Sequence, residues 1–338
     1  MSVITVAIPV YNKKEYLAEC FASLENQTKS TFQVLMIDDG STDGSAELCE
    51  AYAEKSDNYR VVHFENAGLL QSRRRAIALI PEGYVVFLDA DDYLSENAID
   101  YIDQASRKSN ADIISFGMRM TNSSYRQGNL KKSINNVPQV DNFPIEEARK
   151  WILEGGSNNL CGKAIKRECF NEELDYYRFE NLMHGEDLLQ SLEVFDKAKS
   201  FAFLREDLYY YRRNQDSSTS YYKCSQRHDI SKVLAELKKS SLKWTSSTYA
   251  YAIGATVQYC YLFSLLELSG VSGDELTKER ENIRREIEKL LIISPKLILK
   301  LKPNNALLVR AISKRKYKRA HFLIKCVHLI KVLLKRGG

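Results

Sequence analysis

No Cys-x-x-Cys pair occurs in this chain of 338 residues, and its seven cysteines, at 20, 49, 161, 169, 224, 260 and 326, are scattered and odd in number. That usage excludes a small disulfide-stapled scaffold and predicts free thiols in a reducing compartment. Also missing is a charged N-terminal stretch followed by an apolar one. Met1-Ser-Val-Ile-Thr-Val runs straight into a strand-like segment, so no signal peptide is read and a cytoplasmic setting is expected. Acidic residues are absent from 295 to 338, which carries thirteen Lys or Arg; against a whole-chain charge of +5, the remainder stands at −8. The basic character therefore belongs to the tail. No apolar run of bilayer length is free of polar interruption. Tyr249 to Leu268 comes nearest, and Gln258, Glu267 and several tyrosines within it argue for a buried or interfacial helix.

What is present is an ordinary globular composition, 44% hydrophobic and 28% charged. The length exceeds what one core usually serves, which predicts a catalytic-sized domain and a smaller appendage. Short apolar runs at Val3 to Val10, Phe32 to Ile37, Arg60 to Phe64, Tyr84 to Leu88 and Asp112 to Met118 read as strands. Helical stretches at Lys14 to Asn26, Ser45 to Lys55, Leu70 to Ile80 and Glu96 to Ser109 alternate with them. The alternation predicts βαβ units around a parallel sheet. Residues 119 to 143 read as a long polar connection, and periodicity returns at Ile145 to Leu153. After about Ser220 only helical segments follow, so the domain boundary is placed there, giving 1–220 and 221–338.

Three acidic sites carry the chemistry. Asp38-Asp39-Gly40-Ser41-Thr42-Asp43 follows a strand, where open α/β sheets bind ligands. Asp89-Ala90-Asp91-Asp92 ends another strand and crowds three carboxylates, whose hard oxygens suit Mg²⁺ or Mn²⁺. Glu186-Asp187 opens an amphipathic stretch behind Gly185, where one acid can cap the helix and the other can take a proton from a hydroxyl. Capping and turn formation explain any one of these alone.

Their order along the chain, together with Pro9-Val10-Tyr11-Asn12, resembles the family 2 inverting glycosyltransferases over roughly residues 3 to 220. The resemblance implies an α/β fold of the GT-A type, a Rossmann-like nucleotide-sugar-binding domain, here followed by a mainly α-helical C-terminal domain. It implies that Pro9 and Tyr11 border the nucleotide base and that Asp39 recognises it, favouring a UDP-linked donor. In Glu65 to Arg75, Asn66, Gly68 and Arg73 match the family pattern, whereas Arg74 replaces its usual Asn. Asp89 is placed near the ribose and Asp91 on the metal, with Asp92 a third candidate. Asp187 is implied as general base and Glu186 as acceptor-positioning. Either Arg212 or Arg213, in Tyr209-Tyr-Tyr-Arg-Arg, is expected to reach the diphosphate. His184 and Trp151 are each explained more simply by packing than by function.

The expected activity is a metal-dependent, single-sugar transfer to a saccharide or lipid-linked acceptor in cell-surface polysaccharide or glycoconjugate synthesis. A processive synthase would carry several membrane spans and a Gln-x-x-Arg-Trp signature, and neither is found. The alternative is a catalytically silent nucleotide-sugar-binding scaffold, against which the retention of Asp91 and Asp187 argues. The tail interleaves cations with long apolar side chains at helical spacing, which suits an anionic membrane surface or docking on this protein or a second subunit. Nucleic acid would explain the charge but none of the acidic sites.

Overall fold

The structure, a computed structural model, describes residues 3–121, 125, 139–156, 158–171, 179, 182–212, 222–245 and 249–336. The chain divides into two compact units, Met1–Ala148 with Asn159–Asn214, and Arg149–Asn158 with Gln215–Gly338. The second unit thus takes in residues 149–158, which the contiguous boundary at 220 does not include.

In the first unit, β1 (Ile4–Val10), β2 (Gln33–Asp38), β3 (Tyr59–His63) and β4 (Tyr84–Phe87) alternate with α1 (Lys14–Glu25), α2 (Ser45–Ala53) and α3 (Leu69–Leu79). The strands β1, β2 and β4 are apolar nearly throughout and buried, as parallel strands covered on both faces must be. There follow β5 (Tyr93–Leu94), α4 (Ala98–Ser109), β6 (Ile113–Thr121), β7 (Val140–Pro144), α5 (Ile145–Leu153), β8 (Lys163–Lys166), α6 (Glu186–Lys197) and β9 (Ser200–Arg212). The sheet order is β3-β2-β1-β4-β8-β6-β9-β5, with β7 on β9. β1 pairs in parallel with both β2 and β4, β8 runs antiparallel between β4 and β6, and β6 is parallel to β9. Six strands, β1, β2, β3, β4, β6 and β9, therefore end on one edge, and β5, β7 and β8 begin there.

The parallel sheet expected from the βαβ units is present in β1 to β4 and is extended by antiparallel pairings, and four strands escaped the sequence reading. β5 and β8 are too short to show a period. β7 is a largely exposed strand of Val-Asp-Asn-Phe-Pro. In β9 the alternation is broken where its pairing with β6 shifts register around Gly117. There an added Cβ on Gly117 would lie 2.2 Å from Asp207 Oδ1, so only glycine admits the irregularity.

The second unit contains α7 (Cys224–Thr245), α8 (Tyr249–Leu268), α9 (Gly273–Ile293), α10 (Pro303–Ser313) and α11 (Tyr317–Arg336). α8 is its core, with α7, α9, α10 and α11 packed on it. Ala252, Ala255, Leu262, Phe263 and Leu266 are all within 2% of full burial. The one acid of α8, Glu267, is buried and held by Arg280 at 2.6 and 2.7 Å and by His321 Nδ1 at 2.9 Å. No described helix is long and apolar enough to cross a membrane. Gly254 on α8 admits the carbonyl of Leu153, since a Cβ there would sit 2.0 Å from that oxygen. Gly254→Val should destabilise the protein by about 1–3 kcal/mol, as overpacking does, without altering the first unit's fold. Urea titration followed by circular dichroism measures this, and an unchanged midpoint would refute the close approach.

Candidate active site

The three acidic sites converge on the sheet edge where β1, β2 and β4 end. What joins two of them is one side chain. Arg73, on α3, is 0% exposed; its Nη1 donates to Asp187 Oδ1 at 2.5 Å and its Nη2 to Asp89 Oδ1 at 3.2 Å. Burial works against the guanidinium's charge, but Asp187 and Asp89 outweigh it and raise its pKa well above the ordinary arginine value. Asp89 is itself raised, by burial first, with Arg73 opposing. Arg73, one of the residues that match the family pattern, therefore looks inward to two carboxylates.

Asp187 lies in the first turn of α6 behind Gly185, whose φ of 88° makes the entry to the helix. Carboxylates are favoured at that end by the helix dipole. The Leu160 amide points at Asp187 Oδ1 from 3.5 Å, and the side chain remains 35% exposed. Among the described residues its Oδ2 has no hydrogen-bond donor, leaving an oxygen open to a substrate hydroxyl. Beneath it lies Lys163, 1% exposed at the start of β8, with its Nζ donating to the Asn159 carbonyl. Burial lowers the Lys163 ammonium to about 8, with Asp187 opposing.

Asp91 is paired with Lys13 Nζ at 2.7 Å, and both groups are partly exposed. Asp92 is different. It is 0% exposed, accepts the Tyr209 hydroxyl at 2.6 Å and the Arg212 amide at 2.8 Å, and Tyr209 in turn receives the Asp89 amide at 3.1 Å. Burial and then the charge of Asp89 push Asp92 up to about 8. Both of its oxygens accept hydrogen bonds from β9, so it shapes the loop. Asp89 and Asp91 supply hard carboxylate oxygens, and among the described residues no cluster of three His, Cys, Asp or Glu side chains surrounds them. That donor set fits Mg²⁺ or Mn²⁺, which keep water and take substrate phosphate oxygens beside one or two carboxylates.

The remaining sequence candidates are less concentrated. Pro9 is buried within β1, Tyr11 is 49% exposed just beyond it, and Asn66 is exposed in the turn before α3. Asp39 is 2% exposed and accepts the amides of Ala67 and Gly68 and Arg75 Nη1 at 2.8 Å. Arg212 is packed between the Tyr16 and Tyr93 rings and paired with Glu19 at 2.9 Å. Arg213 lies outside the described residues. His184 is half-buried and Trp151 is 42% exposed. Sequence reasoning missed Lys13, Arg75 and Lys163, all lysines and arginines that only acquire meaning beside a carboxylate. It noted Arg74 as a departure without seeing its use: Nη1 binds both oxygens of Glu193 on α6 at 3.1 Å and Nη2 the Asn171 carbonyl, tying α3 to the helix that bears Asp187.

Glu186, beside the base, is raised by burial and then by the charge of Asp187 to about 7, from a usual 4.5. Between those values the folded chain holds a proton that the unfolded chain has lost, so stability falls as pH rises through the window. Glu186→Gln cannot ionise. It should melt above wild type at about pH 8 and with it at about pH 4, and equal melting at the higher pH would refute the burial of this carboxyl.

Comparison with known proteins shows the family. The model of glycosyl transferase family 2 matches residues 5–174. Glycosyltransferase GlyG of Streptococcus pneumoniae serotype 4 is 30% identical over 222 residues, 63% of this chain and 72% of that protein. The minor teichoic acid biosynthesis protein GgaB of Bacillus subtilis is 28% identical over 224 residues, 64% of this chain but only 23% of GgaB. Among solved structures, S. aureus TarS 1–349 in complex with UDP-GlcNAc superposes with a TM-score of 0.69 at 16% identity, covering 97% of this chain and 92% of that one, a likeness of fold. With the α/β sheet, the acidic edge and half of its length matched, the chain belongs to glycosyl transferase family 2 and is a glycosyltransferase of the GT-A fold.

Proposed function

We propose that this glycosyltransferase moves one sugar, with inversion and with the help of a divalent cation, from a UDP-linked donor to a hydroxyl of a saccharide or lipid-linked acceptor in cell-surface polysaccharide synthesis. The observation that carries the reading is the bridge of Arg73 between Asp89 and Asp187. It holds the donor-side carboxylate and the candidate base at a fixed spacing, as an in-line displacement at the anomeric carbon requires. Asp187 takes the proton of the acceptor hydroxyl through its open Oδ2 while Arg73 and the Leu160 amide keep its Oδ1 in place. Glu186 stands next to it to orient the acceptor. Tyr11, Pro9 and Asn66, with Asp39 behind them, are the candidate surround of the uracil and ribose. Arg212 or Arg213 remains the candidate for the diphosphate. A cation on Asp91, with Asp89 beside it, would stabilise charge developing on the departing diphosphate. The UDP donor is supported by the ligand named for TarS, and the class of product by the name of GgaB.

Calorimetry with UDP-sugars and Mn²⁺ tests these roles. Asp187→Asn should lower turnover by about 10²-fold or more while donor affinity stays near that of wild type. Asp91→Ala should abolish the cation dependence of donor binding. Nucleotide-sugar binding by the wild type without any turnover would transfer the protein to the scaffold reading, and binding of no nucleotide sugar at all would overturn the proposal.

We further propose that the basic C-terminal segment engages the anionic inner face of the cell membrane. On α11, Lys318, Phe322, Lys325 and Leu329 follow one another at four- and three-residue steps and are all exposed, whereas Ala320 and Ile324 are buried. An outward stripe of cations and large apolar side chains suits a headgroup interface. Two such faces would repel in a symmetric dimer. The protein should co-sediment with vesicles containing anionic phosphatidylglycerol and not with neutral phosphatidylcholine, and Phe322→Glu with Leu329→Glu should release it. Indifference to anionic vesicles would leave the protein or a second subunit as the partner.

A further inference from the structure

The two carboxylates of the Asp89-Ala-Asp91 turn are neutralised in different ways. Asp89 faces Arg73, which is fully buried and has no route into water. Asp91 faces Lys13, whose side chain is 36% exposed while that of Asp91 is 22% exposed. An arginine in the first position cannot leave; an ammonium on a flexible stem in the second can.

Lys13 is nonetheless presented with care. Asn12, with φ 50°, turns the chain from β1 into α1. Four hydrogen bonds then fasten this turn to the loop after β2: Asn12 amide to Ser41 Oγ at 3.1 Å, Lys13 amide to Ser45 Oγ at 2.9 Å, Lys14 amide to Asp43 Oδ2 at 3.0 Å, and Thr42 amide to Asn12 Oδ1 at 2.8 Å. The backbone of Lys13 is thereby fixed by one side chain after another of the Ser41–Ser45 loop, and only its side chain is at liberty. Its Nζ reaches Asp91 Oδ2 at 2.7 Å across 78 residues of sequence and lies 5.7 Å from the Tyr16 ring centroid.

From this geometry we propose that Lys13 is a tethered counter-ion: it holds Asp91 oriented before the donor arrives, and it must give up that oxygen for Asp91 to take a divalent cation. The inference rests on the metal reading of Asp91 given above. Its consequence is an order of assembly. A cation alone has to displace an ammonium that gains nothing by leaving, so it binds weakly. A nucleotide diphosphate offers the released ammonium a new anionic partner within reach of the same turn, so cation and nucleotide favour each other's binding. Lys13 acts here as a positioning residue, and the coupling between the two ligands passes through it.

The test is a titration of the intact protein with Mn²⁺, reading free Mn²⁺ by electron paramagnetic resonance with and without UDP, on wild type, Lys13→Met, Lys13→Arg and Asp91→Asn. Removing the competing charge in Lys13→Met should tighten Mn²⁺ alone by about fivefold to tenfold and shrink the enhancement by UDP by a similar factor. Lys13→Arg, which keeps the charge, should stay near wild type and reports that the turn still folds. Unchanged or weaker Mn²⁺ binding in Lys13→Met would overturn the proposal, because a merely structural lysine cannot oppose the cation. If Asp91→Asn leaves wild-type Mn²⁺ affinity intact, the cation does not sit on Asp91, and the metal reading falls together with the inference built on it.

Discussion

One buried guanidinium organises the site. Arg73 is fully enclosed, yet it carries a charge that nothing in the protein interior would tolerate without partners. The partners are the very carboxylates on which the chemistry rests. Asp89 hangs from the end of β4 and Asp187 from the start of α6, 98 residues later in the chain, so the ion cluster can form only once sheet and helix have come together. Removing Arg73 would leave two acids facing each other in a half-buried cleft, a like-charge arrangement that raises one of them out of its working state. The spacing between donor side and base is therefore set by the same contact that makes the fold locally coherent.

Around that cluster, the structure distributes the other acids by their partners rather than by their sequence spacing. Asp92, one residue from Asp91, is tied to Tyr209 and Arg212 of β9. Asp39 is enclosed by the amides of Ala67 and Gly68 and by Arg75, so it shapes the turn before α3 as well as lining the sheet edge. Asp91 alone among the clustered acids of residues 89–92 keeps both exposure and an exposed cationic partner.

These assignments mark where sequence reading reaches and where it stops. The strands β1 to β4 and the helices between them were readable because apolar runs of parallel strands and the intervening helical periods are local properties. Ends of strands were readable too, which is why two of the three acidic sites, Asp38-Asp39 and Asp89 to Asp92, could be placed at strand ends, while Glu186-Asp187 could only be placed at a helix start. The antiparallel β8 and the irregular β9 were not, since four residues carry no period and a register shift erases one. Likewise Lys13, Lys163 and Arg75 were invisible: a lone cation in sequence is a solvated side chain by default, and only the fold reveals that it faces an acid. Arg212 shows the converse. It stood in the expected basic segment, and the structure gives it Glu19 and two tyrosine rings as neighbours.

Arg74 shows how a departure from a family pattern becomes intelligible. A neutral asparagine at that position has no need of a buried acid, whereas this arginine requires one and finds it in Glu193, 4% exposed on α6. The same guanidinium also holds the Asn171 carbonyl, so a substitution on α3 is matched by a charge on the helix seven residues beyond Glu186. Residues seven apart on a helix share a face, which puts Glu186 and Glu193 on the same side of α6. Two adjacent arginines on α3 then secure that helix at two heights, Arg73 through Asp187 and Arg74 through Glu193. The base is held not by one ion pair but by the orientation of the whole helix that carries it.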